Sequence, residues 1–417
     1  MVSEKFFRFS VGLFVTAWVA RYLGVSGFGE LSFALSFVFL FSAFSTMGID
    51  TLVVKSFGED EKENSALITN ALLIKVAGSL LAILMSFISI CIYKSDDDYS
   101  QLLVFICSLS FIFQSFSIVD LYFQSKLLSK YSAACSLLSF LIVSLVKIYL
   151  IFIESDLIWF AAVNVLEAFI LSFFLLYSYY SVVSDGLSFR FSLNKIKSLV
   201  VESFPVLVAL LSYCLYSRVD QIMLENMLGV GSVGLYSAAY KLYEVPFIIT
   251  IMLARSLVAV MSDLYKNNID SYYNQYHYLC RFWTAVSYLL VFFFFFFSPL
   301  LVETVFGSEY VGASSILVIL SFGQIAYYNA FLRSNHLIIS GNSSVMMKTT
   351  FCSVFINIFL NYIMIPLWGG VGAALSTVIT QFLSLLLFNL FFEGAREIGF
   401  IQLRSLLLVG PKCKDVI

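Results

Sequence analysis

The stretch LGVSGFGELSFA at residues 23–34 returns without a gap as LGVGSVGLYSAA at residues 228–239. Leu23, Gly24, Val25, Gly29, Ser32 and Ala34 match Leu228, Gly229, Val230, Gly234, Ser237 and Ala239, six identities in twelve positions. The offset of 205 is almost half of the 417 residues. Each copy bridges two apolar runs, so each reads as the joint between the first and second runs of a half. An ancient duplication explains both the spacing and the placement.

Working outward from these joints, apolar runs follow one another along the whole chain. Of its residues 60% are hydrophobic and only 12% charged, against roughly 45–50% and 25% in a soluble domain. No water-facing surface of ordinary polarity can be built from this composition, so the chain reads as an integral membrane protein. Hydropathy and charged breaks give twelve spans: 6–22, 31–54, 66–93, 101–123, 131–153, 157–180, 199–223, 233–261, 276–297, 312–332, 345–365 and 370–392. Most are long enough to cross about 30 Å of hydrocarbon as a helix. Six is an even number, so both halves enter the membrane in the same sense and the repeat is parallel. The expected fold is therefore all-α, two six-helix lobes at 1–181 and 198–393, with a polar linker at 182–197 and a tail at 394–417. Within that tail, residues 400–409 are too short to span and suit a helix lying at the membrane surface.

Charge sets the expected orientation. With the N-terminus in the cytoplasm, inner segments carry Lys5, Lys55, Lys62, Lys126, Lys130, Arg190, Lys195, Lys197, Lys266, Arg333, Arg396, Arg404, Lys412 and Lys414, while outer loops carry essentially Lys94. The positive-inside rule then places both termini in the cytoplasm. Loops are short, which argues against a membrane polymerase or glycosyltransferase needing a large external loop. The net charge of −2 excludes a basic nucleic-acid surface, which needs an excess of clustered Lys and Arg. The cysteines stand singly with no CxxC spacing, and His277 and His336 lie in different segments, so neither metal nor cofactor is expected. No P-loop is present, which leaves an ion gradient as the energy source.

At this point the chain resembles a family. ARYLGVSGFGELSFALSF from Ala20 and MGIDTLVVK from Met47 are similar to the start of the Wzx-type flippases. These belong to the multidrug/oligosaccharidyl-lipid/polysaccharide exporter superfamily, whose fold is MATE-like. RVDQIMLENMLGVGSVGLYSAAYKLYE from Arg218, VFGSEYVGAS from Val305 and NYIMIPLWGGVGAAL from Asn361 extend the resemblance through the second half. It departs from the pattern where Val25 and Ser26 replace the usual proline of the first joint. The resemblance implies a protein of the bacterial inner membrane that turns undecaprenyl-diphosphate-linked oligosaccharide from the cytoplasmic to the periplasmic leaflet for O-antigen or other surface polysaccharide. It further implies membrane lipids, H+ or Na+ as coupling ion, and the polysaccharide polymerase and chain-length regulator as partners.

A diphosphate cannot cross hydrocarbon unaided, so cations deep in the spans are expected to line a wet cavity. Lys75, Lys147, Arg218 and Lys241 are the deep cations, with Arg255 nearer the inner edge. Two rival roles stand beside that one. Glu244, three residues after Lys241, has the spacing to neutralise it, and Glu167 is the deep acid of the first half that Lys75 or Lys147 would pair with. Arg8, Arg21 and Arg281 fit snorkelling anchors. Glu167, Asp220 and Glu244 are candidate ion-coupling carboxylates, because an embedded acid can exchange a proton as its exposure changes. The offset of 205 also maps Asp50 onto Arg255, a pair of opposite charges that would close a cytoplasmic gate. Pro205 and Pro246 are candidate hinges, and the first half holds no proline. An ion-coupled drug or metabolite exporter of the same fold is the alternative; it would favour acids over cations at depth.

Overall fold

The computed structural model describes residues 2–57, 64–182, 191–391 and 393–409. Within its helices, the side chains at 2–6, 64–65, 249, 251–256, 343, 386–388, 390 and 393–394 lie outside that description. All regular structure among the described residues is helical, a form in which each segment satisfies its own backbone groups without water. Among the described residues, nine helical stretches are long and apolar enough to cross a membrane. Two of these merge neighbouring spans, and one further span is built from shorter pieces, so the twelve-span reading fits.

In the first half the helices are α1 (Val2–Leu40), α2 (Ser42–Thr46), α3 (Asp50–Ser56), α4 (Asn64–Tyr93), α5 (Asp98–Ser108), α6 (Ser110–Gln114), α7 (Ile118–Ser125), α8 (Ser129–Phe152) and α9 (Leu157–Val182). The second half comprises α10 (Leu193–Leu228), α11 (Val230–Tyr243), α12 (Phe247–Asn267), α13 (Ile269–Phe306), α14 (Ala313–Ile339), α15 (Ser343–Phe391) and α16 (Glu393–Leu406). The chain forms two compact units, Met1–Arg218 and Val219–Ile417. That boundary falls inside α10, and Leu199 near the start of this helix packs with Ile49, Val53, Phe57 and Phe123 in the first unit's core. Residues 183–190 of the expected linker lie outside the described residues.

The repeat is visible in the backbone. Gly24 bends α1 with φ 67° and ψ 177°, and Gly229, between α10 and α11, stands at φ 82° and ψ 175°. This region of dihedral space is essentially open only to glycine. A third kink, at Gly369 (φ 58°, ψ −133°), joins the two arms of α15.

The helices also break near their middles. Pro246 precedes α12, at the interruption that follows Tyr243. Subtracting 205 from that interruption leads to Phe41, where α1 gives way to α2 without any proline. The same first-half span breaks again at Met47 (φ 51°) and Gly48 (φ 67°). Absence of proline has therefore not kept this half straight. The reason lies in the approach of α10: a Cβ on Gly48 would come within 2.7 Å of the Leu207 nitrogen and 3.1 Å of the Ser203 oxygen. Those residues flank Pro205, which sits inside the helical run of α10.

In the second unit, Tyr272, Tyr276, Trp283, Tyr328 and Leu332 form a core shared by α13 and α14. The tail forms a helix that starts earlier than the stretch at 400–409. Its helix begins at Glu393 and ends at Leu406, and Ala395 and Ile398 join that core. Gln402 anchors the inward face of α16, whose other face leaves Arg396, Phe400 and Arg404 exposed. Its Nε2 donates to the Tyr276 hydroxyl (2.9 Å) and the Asn329 carbonyl (2.7 Å). Its Oε1 accepts from Asn389 Nδ2 (2.7 Å), and Arg333 Nη1 in turn donates to Asn389 Oδ1 (3.1 Å).

Candidate functional site

The deep cations have different surroundings. Lys75, on α4, is 1% exposed, and its Nζ lies 2.7 Å from Asp50 Oδ1. Its directed hydrogen bond runs instead to Ser117 Oγ, at 2.9 Å. Asp50 Oδ1 receives no well-angled hydrogen bond, so its contact with Lys75 is an ion pair held by charge. The break at Gly48 starts α3 at Asp50 and brings that carboxylate to Lys75. The pairing of Lys75 with Glu167 expected from sequence is therefore replaced by one with Asp50. Glu167, on α9, is half-buried.

Arg218 lies over the Phe39 ring, 5.3 Å from its centroid, a cation–π contact that leaves the guanidinium charge intact. Lys147 is half-buried on α8. Lys241 stands in the last turn of α11, 3.8 Å from Glu244 across an i,i+3 spacing. With side chains 44% and 28% exposed, this is a loose, wet pair of small worth. Lys241 thus keeps access to a ligand in a way that enclosed Lys75 does not. Arg255 lies on α12, and its side chain is outside the described residues, so the Asp50–Arg255 gate has no described geometry. Among the sequence-expected anchors, Arg8 packs over Phe140 at 5.6 Å and Arg21 is exposed.

Asp220 is the most constrained of the sequence-predicted residues. It is 5% exposed on α10, and no cation among the described residues lies within ion-pair distance of it. Three donors enclose its carboxylate. Tyr236 Oη donates to Oδ2 at 2.8 Å, Thr377 Oγ1 to Oδ2 at 2.6 Å, and Asn361 Nδ2 to Oδ1 at 2.6 Å. The kink at Gly369 folds α15 so that Asn361 and Thr377, on opposite arms, reach the same carboxylate. Tyr236 comes from the second copy of the repeat, where the first copy has Leu31.

The cage is rich in oxygen beyond the carboxylate. Asn361 also contacts Asn357 Oδ1 at 3.1 Å, and Thr377 Oγ1 lies 3.1 Å from the Ala373 carbonyl. Asn361 Oδ1 and Asn357 Nδ2 are buried with no partner. Amide oxygen and nitrogen exchange by rotation, so Asn361 can present oxygen rather than N–H to this centre. One carboxylate with several neutral oxygens is a hard donor set of low charge. It fits a small monovalent cation or a proton. A buried carboxylate without such a counter-charge is costly, and the three hydrogen bonds offset only part of that cost.

Sequence reasoning found Asp220 and missed Tyr236, Asn357, Asn361 and Thr377. The usable signal was the pair Asn357 and Asn361, four residues apart on one face of an otherwise apolar run, FINIFLNYIMI.

Comparison with known proteins agrees with this architecture. A family model described as polysaccharide biosynthesis protein matches residues 5–265, and the MatE model matches residues 205–363. The capsular polysaccharide biosynthesis protein CapF of Staphylococcus aureus is 23% identical over 322 residues, 76% of this chain and 80% of that protein. The probable low-salt glycan biosynthesis flippase Agl15 of Haloferax volcanii is 26% identical over 212 residues, 47% of this chain and 43% of that one. In solved form, the lipid II flippase MurJ in an inward closed conformation matches with a TM-score of 0.78 at 17% identity, over 97% of this chain and 90% of that chain. That likeness is one of fold.

Proposed function

The chain belongs to the polysaccharide biosynthesis protein family, and from that membership and the geometry above we propose that it is an ion-coupled flippase for lipid-linked oligosaccharide. Its substrate is a polyprenyl-diphosphate-linked repeat unit of the undecaprenyl type. The protein carries this unit from the cytoplasmic to the periplasmic leaflet of the inner membrane, with both its own termini in the cytoplasm, for O-antigen or a related surface polysaccharide. A polymerase and a chain-length regulator then act on the product.

The observation that carries the coupling is Asp220, a carboxylate held inside an apolar span by neutral donors, with no cation among the described residues within ion-pair distance. Entry of H+ or Na+ neutralises it, and loss of that ion restores the charge. The two states differ in the cost of burial, which is what an ion gradient needs in order to drive access from one side to the other. Glu244, tied loosely to Lys241, is free to change partners when a diphosphate takes its place. Arg218 and Lys241 are the cations that hold the diphosphate, with Lys147 in a supporting role; Lys75 serves Asp50 instead.

The test is made in the host. After deletion of the gene, a membrane-impermeant sugar probe is applied to vesicles of known sidedness. Lipid-linked repeat units should accumulate on the cytoplasmic face and be cleared by the wild type. Neither the combined Arg218→Ala and Lys241→Ala variant nor Asp220→Asn should clear them. Unchanged leaflet distribution, with altered drug sensitivity, would move the reading to an exporter of the same fold.

A further inference from the structure

Residues 278–285 of α13 meet the end of the C-terminal segment at an open groove of about 280 Å³ lined by Tyr278, Arg281, Phe282, Ala285 and Leu408. Tyr278, Phe282 and Leu408 are exposed. Tyr278, Phe282 and Ala285 follow the i, i+4, i+7 spacing of a single helix face. One side of the groove is thus an apolar strip running along a membrane-crossing helix.

The other side is cationic. Arg281 has a buried Nε with no partner. One turn earlier, His277 is 5% exposed, and neither of its ring nitrogens has a partner. Arg404 stands on α16 four residues before the groove residue Leu408, and both it and Arg281 act electrostatically on that imidazole. Glu397, the acid of α16 on this side, is held by the Tyr273 hydroxyl at 2.6 Å. Below Arg404, the Tyr288 hydroxyl donates to the Leu406 carbonyl at 2.6 Å, closing α16 onto α13. None of these residues belongs to the cage around Asp220 or to the cations assigned to substrate.

Paired arginines beside an exposed apolar strip complement one kind of molecule: a phosphate monoanion that carries acyl chains. A free phosphate gains nothing from the strip, and a zwitterionic lipid offsets the arginines with its own cation. We infer that this groove binds an anionic glycerophospholipid, its phosphate between Arg281 and Arg404 and an acyl chain along Phe282, Ala285 and Leu408. Bound there, the lipid bridges α13 and α16 and fastens the C-terminal helix to its unit. The inference rests only on the chain being a membrane protein, not on its cargo.

The full-length protein, purified in a neutral detergent without substrate, is titrated with phosphatidylglycerol, and retained lipid is counted by native mass spectrometry. Phosphatidylglycerol should be retained and should raise the unfolding temperature, whereas phosphatidylcholine and inorganic phosphate should do neither. Arg281→Gln and Arg404→Gln should each weaken retention about fivefold, and together about 25-fold. That corresponds to about 1 kcal/mol for each cation beside an anionic lipid. Ala285→Trp, which fills the strip and leaves the charges untouched, should also displace the lipid. If the glutamine variants do not fold, Arg281→Lys with Arg404→Lys keeps the charge and should still prefer phosphatidylglycerol over phosphatidylcholine. Retention unchanged in the folded double glutamine variant, no preference in the lysine pair, no effect of Ala285→Trp, or equal stabilisation by inorganic phosphate would each overturn the site. Tighter retention of undecaprenyl diphosphate than of phosphatidylglycerol would also overturn it, in favour of the cargo's own carrier. Because no transport is measured, failure of the flippase reading leaves these outcomes unchanged.

Discussion

Replacing Thr377 by valine keeps the shape of the side chain and removes one donor from Asp220. The lost contact is 2.6 Å long and ends on Oδ2, which also accepts from Tyr236. A hydrogen bond to a charged group is worth about 1.5–3 kcal/mol, and one to a neutral group about 0.5–1.5 kcal/mol. With a charged carboxylate, Thr377→Val should cost about 2 kcal/mol. In the Asp220→Asn background the same change should cost about 1 kcal/mol. The extra apolar surface that valine brings is common to both backgrounds and cancels in the cycle. The unit that contains the cage spans Val219–Ile417, a size at which each kcal/mol moves the unfolding temperature by about 2–4 °C. The expected shifts are therefore about 4–8 °C with Asp220 present and about 2–4 °C without it. Trp283, stacked on Tyr328 with centroids 4.7 Å apart in the same unit, supplies a fluorescence signal, and all four proteins are scanned at one heating rate. Equal shifts in the two backgrounds would refute the reasoning, because the hydroxyl would then not be serving a charge.

The Lys75–Asp50 pair should respond asymmetrically. Asp50→Ala strands an ammonium that is 1% exposed and should cost about 3–5 kcal/mol, whereas Lys75→Met leaves a carboxylate that is 39% exposed and open to water, costing about 1 kcal/mol or less for the lost pair; reversed order in thermal unfolding contradicts the assignment. Gly48→Ala forces a side chain into φ 67° and against the Leu207 nitrogen, and should lose about 2 kcal/mol or more. Gly231→Ala, in a helix with no atom within 4 Å, should be neutral or gain about 0.5–1 kcal/mol, and expression level with unfolding temperature separates the two. Asp97 caps α5. Burial pushes its carboxyl up, but hydrogen bonds from the Ser100 side chain and backbone, together with Lys94, hold it down at about 2. Asp97→Ala should therefore cost about 1 kcal/mol at neutral pH. Because the folded value is depressed, that difference is fully present above 3.8 and fades as pH falls toward about 2. Unfolding temperatures of the two proteins across that window check the sign.

What the sequence made legible was whatever hydrocarbon imposes directly. A span must be continuously apolar, so the runs and their repeat could be read residue by residue, and Glu167, Asp220 and Glu244 could be named together as charges where none is cheap. Its partners did not stand out. Asn361 and Thr377 lie 141 and 157 residues away, and neutral polar side chains follow no spacing rule that ties them to an acid. Lys75 went to the wrong acid for a related reason. Glu167 sits deep, while Asp50 reads as the edge of a span, and only the backbone break at Met47 and Gly48 carries it inward. For the tail, the apolar stretch at 400–409 drew attention away from Ala395 and Ile398, which with Gln402 form the inward face of α16.

Gly24 and Gly229 hold nearly the same pair of dihedral angles 205 residues apart, while the acid, tyrosine, asparagine and threonine of the cage occur in the second half. By the same offset, Asp220 corresponds to Val15. What duplication handed down unchanged is an articulation, a corner that only a residue without a side chain can turn. A scan of every substitution along the chain should therefore show two isolated columns of intolerance at these glycines. Each should be flanked by positions that accept many residues, as two identical elbows fitted to limbs that have since learned different trades.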